Sequence, residues 1–130
     1  MATTARFTNN IGAINSGTDN TDRTRNNQYL EPAYAATIAL APYAAYTLVK
    51  PGTLTGALTV TAGVGSAGNP PFIGDILDFL FTPDGTTRVV TFGTGFLPNG
   101  TLSVTTAKTA NASFMFNGTA WVERGRTVTA

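Results

Sequence analysis

Apolar and polar positions alternate through most of the second half of the chain. From Ile76 to Phe81, Leu77, Phe79 and Phe81 fall on one face and Ile76, Asp78 and Leu80 on the other. That period of two is the mark of a strand with its aromatic side inward. Leu54 to Ala62 alternates apolar residues with Thr, placing Leu58 and Val60 inside. Arg88 to Phe92, Thr101 to Thr105 and Thr109 to Phe116 follow the same rule, with Phe114 and Phe116 sharing a face. Asp84-Gly85 and Asn117-Gly118 stand between such runs, and both dipeptides accept the positive φ of tight hairpin turns. Two hairpins are therefore predicted, one of them pairing 76–81 with 88–92. Gly93 to Gly100 is a long connection suited to crossing between sheets, and Trp121 is expected to cap the core just past the last turn.

Upstream, the pattern weakens. Tyr29 to Tyr46 is apolar and carries four tyrosines, but Pro32, Pro42 and Pro51 cut it to strand lengths. No charged face is available for an amphipathic helix, so 36–40 and 46–50 are predicted strands. The tyrosines serve as core or as contacts with a neighbouring subunit. Residues 1–28 hold six asparagines and only Phe7, Ile11 and Ile14 as large aliphatic or aromatic side chains beyond Met1. Such a segment buries too little to fold alone. It reads either as a loose terminus or as an arm ordered by a partner, with Arg6, Arg23 and Arg25 suited to bidentate pairing with carboxylates. The expected organisation is an extended arm over 1–35 and a domain over 36–130. The expected fold class is all-β, a jelly-roll-like antiparallel β-sandwich of about eight strands.

Composition sharpens this. The chain has 130 residues, enough for one domain with a modest core. It is 42% hydrophobic and only 12% charged, so hydroxyls and amides, with Thr leading, keep its surface in water. A net charge of +1 without any basic run argues against nucleic acid and anionic membranes as partners. No signal-type segment is read at the N-terminus, and 34–49 is a poor membrane span. The three Asn-X-Ser/Thr sites, at Asn99, Asn111 and Asn117, read as turn and strand chemistry.

The chemistry of catalysis is sparse. Without His or Cys there is no imidazole base, no thiolate and no ordinary zinc set. Asp75 and Asp78, three apart on one strand, point to opposite faces and cannot flank one bond. Gly63-Val64-Gly65-Ser66-Ala67-Gly68 has the spacing of a dinucleotide loop, but Asn69-Pro70-Pro71 follows where a helix should open, so it reads as a flexible inter-strand loop. No catalytic residue, cofactor or metal ligand is assigned. The residues assigned to an interface are Arg6, Phe7, Arg23, Arg25, Tyr29, Leu30, Tyr34 and Tyr43.

Four segments carry a resemblance: Ala57-Leu58-Thr59-Val60, Gly74-Asp75-Ile76-Leu77-Asp78-Phe79-Leu80-Phe81, Asp84-Gly85-Thr86-Thr87-Arg88-Val89-Val90-Thr91-Phe92, and Ser113-Phe114-Met115-Phe116-Asn117-Gly118-Thr119-Ala120-Trp121-Val122. In this order they resemble a β-sandwich domain of tailed-phage virion proteins, found in small capsid decoration (cement) proteins and some fibre proteins. Residues 1–35 lie outside it. The resemblance implies a structural protein and not an enzyme, a homotrimer on the outer surface of the phage head, and the major capsid protein as partner. A glycan- or host-binding module of a head or tail fibre is the alternative it leaves open.

Overall fold

The computed structural model describes residues 27–63 and 70–129. Among the described residues ten strands occur: β1 (Asn27–Leu30), β2 (Thr37–Leu40), β3 (Tyr46–Val49), β4 (Leu58–Ala62), β5 (Ile76–Phe81), β6 (Arg88–Phe92), β7 (Phe96–Leu97), β8 (Leu102–Val104), β9 (Thr109–Phe116) and β10 (Trp121–Thr129). No helix occurs among the described residues. One sheet has six strands in the order β1-β3-β5-β9-β10-β7, the other four in the order β2-β4-β6-β8. Up to β9 the chain alternates strictly, each strand entering the sheet that its predecessor did not.

This alternation dictates the pairing. From β1 to β6, two strands of one sheet separated by a pass through the other run in the same direction, because the intervening strand carries the chain back. β1–β3, β3–β5, β2–β4 and β4–β6 are all parallel. A parallel pair needs a crossover of about a dozen residues or more, ordinarily a helix; here a strand of the facing sheet supplies it. The chain closes with antiparallel pairs, β5–β9, β6–β8 and β9–β10, while β7 joins β10 in parallel. The all-β expectation stands, in two mixed sheets. The wholly antiparallel expectation is corrected: among the described residues, which hold ten strands, five of the eight strand pairings are parallel.

The predicted hairpin across Asp84-Gly85 is also corrected. β5 and β6 lie in different sheets. Leu54, forming an isolated bridge with Pro83, occupies the place of a hairpin partner. Its N–H donates to the Thr82 carbonyl and its carbonyl accepts from the Asp84 N–H, at 2.9 and 3.0 Å. The Asp84 carboxylate accepts from the Thr86 N–H and takes a bidentate grip from Arg88, so the corner is closed by its own side chains. The second predicted hairpin is present. The Asn117 N–H donates to the Ala120 carbonyl, Asn117 Oδ1 accepts from the Thr119 and Ala120 N–H groups, and Gly118 takes φ +105°.

The inner faces share one core. Leu77, Phe79 and Phe81 of β5 are buried, as are Leu58 and Val60 of β4, Phe114 and Phe116 of β9, and Trp121. Phe79 stands 5.5 Å from Phe92 across the two sheets and 5.9 Å from both Phe96 and Phe114. These aromatic contacts, each worth about 0.5–1.5 kcal/mol beyond area burial, bind the layers at their centre.

Candidate interaction surfaces

The two outer faces differ sharply. That of the four-stranded sheet is hydroxylated. Thr37, Thr59 and Thr91 stand in register on three adjacent parallel strands, with Ala39 beside Thr61 and Val89 beside Ser103. β-branched Thr suits the pleat and hydrates without charge, so this face needs no cover.

The six-stranded sheet carries a run of apolar side chains on its outer face. Because Leu77, Phe79 and Phe81 point inward, Ile76, Asp78 and Leu80 point out, and the same alternation turns Tyr46, Met115, Val122 and Leu97 outward. Strand register sets Tyr46 against Ile76, Ile76 against Met115, Met115 against Val122 and Val122 against Leu97. Five apolar or aromatic side chains thus form one row across five strands. Met115 is 40% exposed and Leu97 54%. Single exposed apolar residues are ordinary, while a contiguous row makes this face a candidate interaction surface.

Polar residues also stand on this face, Thr109, Asn111 and Ser113 of β9 and Asp78 of β5. Asp78 lies one row along, between Leu48 and Ser113. Its Oδ2 accepts a hydrogen bond from the Tyr46 hydroxyl at 2.9 Å. Burial, and then this bond, push the Tyr46 phenol above its usual pKa, so it remains a donor. Asp78 Oδ1 is buried and has no hydrogen-bond partner among the described residues. A buried acceptor without a donor costs free energy until something supplies one.

A second polar cluster is structural. β10 carries a bulge between Glu123 and Gly125 that leaves Arg124 opposite no partner, so Arg126 pairs with inward-facing Ala112. Glu123 and Arg126 then meet: Nε donates to Oε2 and Nη2 to Oε1, each at 2.7 Å. Arg126 also donates to the Thr101 and Gly100 carbonyls, and the Asn99 N–H donates to Glu123 Oε1. The cluster clamps the β7–β8 connection to β10. The Arg126 hydrogen bonds hold the Glu123 carboxyl below its usual range, against the opposing effect of burial. The sequence reading missed it because residues three apart on a regular strand diverge. Only the bulge, foreshadowed by Gly125, brings them together.

Of the interface residues expected from sequence, Arg6, Phe7, Arg23 and Arg25 lie outside the described residues. The glycine-rich loop, apart from its first residue Gly63, lies outside them too. Tyr29 is exposed on the outer face of the six-stranded sheet, its hydroxyl donating to Glu31 at 2.8 Å. Leu30 and Tyr34 instead pack against the core, and the Tyr34 hydroxyl donates to the Ala57 carbonyl at 2.7 Å. Tyr43 is half-buried. Asp75 and Asp78 do take opposite faces: Asp75 is buried and accepts from the Phe72 N–H, closing the start of β5. Among the described residues no cluster of three potential metal ligands occurs.

No protein-family model matches the chain, and no curated protein matches it.

Proposed function

We propose that this chain is a structural virion protein that binds the outer surface of a tailed-phage capsid. It stabilises the shell by bridging neighbouring capsid subunits, as a homotrimer, with the segment 1–35 as an interface element and the major capsid protein as partner. The observation that carries this reading is the apolar row on the outer face of the six-stranded sheet, which suits contact with another protein. The resemblance of the four strand segments to phage decoration domains gives the contact its setting. In the structure those segments are β4, β5, the Asp84 corner with β6, and the β9–β10 hairpin. Two mixed β-sheets are compatible with the sandwich that the resemblance implies, although their parallel strand pairs depart from an antiparallel jelly roll.

The physics of the role is simple. A trimer engages several capsid subunits at once, so modest contacts combine through effective concentration. Co-sedimentation with emptied capsids tests the reading. The full chain is expected to pellet with capsids, and a chain starting at Asn27, shown folded by circular dichroism, to bind roughly tenfold or more weakly, about 1.4 kcal/mol. Equal binding by both removes the arm's role, and no binding by either removes the capsid reading.

A further inference from the structure

We propose that Asn99 is a site of self-modification. In the folded chain the Gly100 nitrogen attacks the Asn99 side-chain amide and converts it to aspartate and isoaspartate, while the same chemistry at Asn117 is held back. The proposal goes beyond the capsid reading and does not depend on it, since water is the only co-reactant.

The chain carries one reactive tripeptide twice, as Asn99-Gly100-Thr101 and as Asn117-Gly118-Thr119. Glycine after asparagine favours this attack, because no side chain stands between its nitrogen and the asparagine Cγ. The shared sequence gives both sites one intrinsic reactivity, so a difference between them in the folded protein is structural. At Asn117 the electrophile is tied down. Its Oδ1 accepts from the Thr119 and Ala120 N–H groups at 2.8 and 2.9 Å, and its own N–H donates to the Ala120 carbonyl. To turn Cγ towards the Gly118 nitrogen the side chain leaves both donors, and the hairpin turn loses what organises it. Gly118 is also hemmed in, with the Ile73 side chain 3.2 Å from where a Cβ would stand.

At Asn99 the electrophile and the nucleophile are both free. Asn99 is exposed, and its side-chain amide makes no hydrogen bond with the described residues. The Gly100 N–H donates to none of them, and the space where a Gly100 Cβ would stand is empty to 4 Å. The flanking main chain is nevertheless held. The Asn99 N–H donates to Glu123 Oε1 at 2.8 Å, and the Gly100 carbonyl accepts from Arg126 Nη2 at 2.9 Å. The guanidinium thus lies against the residue whose nitrogen must become an anion, and a nearby cation favours that ionisation.

The step balances without an oxidant. Hydroxide removes the Gly100 N–H proton, the nitrogen bonds to Asn99 Cγ, and the side-chain nitrogen leaves as ammonia, taking a proton from water. Water then opens the succinimide at either carbonyl. One opening gives aspartate, and the other gives isoaspartate, whose main chain is longer by a methylene. That methylene falls between the Asn99 N–H held by Glu123 and the Gly100 and Thr101 carbonyls held by Arg126. The isoaspartyl product therefore loosens the clamp on the β7–β8 connection.

The test uses the full, unaltered chain. Folded protein is incubated at mildly alkaline pH beside protein unfolded in urea at the same pH. Conversion at each site is followed by peptide mass spectrometry and by enzymatic methylation of isoaspartate. In urea the two sites are expected to convert at matching rates. In the folded protein Asn99 is expected to convert about tenfold or more faster than Asn117, a difference of about 1.4 kcal/mol in activation free energy. Matching rates in the folded protein, faster conversion at Asn117, or no conversion at Asn99 overturns the proposal. The product gives a second readout. The isoaspartyl form, separated by ion exchange, is expected to unfold at lower urea than Asn99→Asp, which carries the same charge on a main chain of ordinary length. Equal urea midpoints for the two overturn the claim that the modification loosens the clamp.

Discussion

At the scale of single residues, the pair Glu123–Arg126 is where charge matters to stability. The Glu123 side chain has no exposed surface, and Arg126 is three-quarters covered. Removing the guanidinium leaves a buried carboxylate with the Asn99 N–H as its remaining donor and frees the Gly100 and Thr101 carbonyls. Hydrogen bonds to charged groups contribute about 1.5–3 kcal/mol, so Arg126→Met is expected to lower the unfolding free energy by about that much in urea titrations. The pH dependence follows from the sign of the shift. Glu123 has a folded-state pKa below its unfolded one, so its contribution is complete above the unfolded value, about 4.3. It is lost as pH falls through the lower, folded value. With no histidine, no side chain of ordinary pKa titrates near neutrality. Urea midpoints are expected to hold steady from about pH 8 to pH 5 and to drop below about pH 4.5. Glu123→Gln is expected to be less stable at pH 7 and to show a shallower acid limb. An acid limb of unchanged steepness would assign acid sensitivity to other carboxylates.

At the scale of elements, the strands were legible and their partners were not. Alternation located β4, β5, β6, β8 and β9 to within a few residues, because a half-buried strand shows period two whatever it pairs with. The same period says nothing about direction. Parallel strands usually announce themselves as continuous apolar runs buried on both sides, but here every parallel strand has one face outward and so looks antiparallel. Asp84-Gly85 misled for a related reason. Six residues, 82–87, separate β5 from β6, and that link turns a corner between sheets under the control of Leu54, which is distant in sequence. Asn117-Gly118 had no such competitor, and the hairpin formed. The crossing at Gly95 was likewise invisible as a steric constraint. Gly95 has φ +94°, and a Cβ there would collide with the Ala62 carbonyl, on the strand where β4 ends. Gly85 faces open space. Gly95→Ala is therefore expected to cost several times what Gly85→Ala costs, through both the left-handed backbone and the clash. Thermal melts of the two variants check this, and equal melting temperatures would mean that β7 can shift away from β4 at little cost.

At the scale of the whole molecule, the winding fixes how the chain must fold. Each parallel pair joins distant residues, such as Asn27 with Tyr46, Thr37 with Thr59 and Leu58 with Val90. Loop closure for such pairs precedes any reward from contacts, which places folding in the slow range of milliseconds to seconds typical of non-local β proteins. The β9–β10 hairpin is the local exception: Phe116 meets Trp121 across a four-residue turn that Asn117 organises. It can form early and offer β5 and β7 an edge on each side. Trp121, the only tryptophan, is buried at this junction and stands 5.1 Å from Phe116, so its fluorescence reports the event directly. In stopped-flow refolding, Asn117→Ala is expected to slow folding by nearly its full equilibrium destabilisation. Leu58→Ala, in a parallel pair completed late, is expected mainly to speed unfolding. The reverse partition would show that the sheets wind first and the hairpin docks onto them. In that case the sequence-distant pairs, and not the one local turn, nucleate this fold.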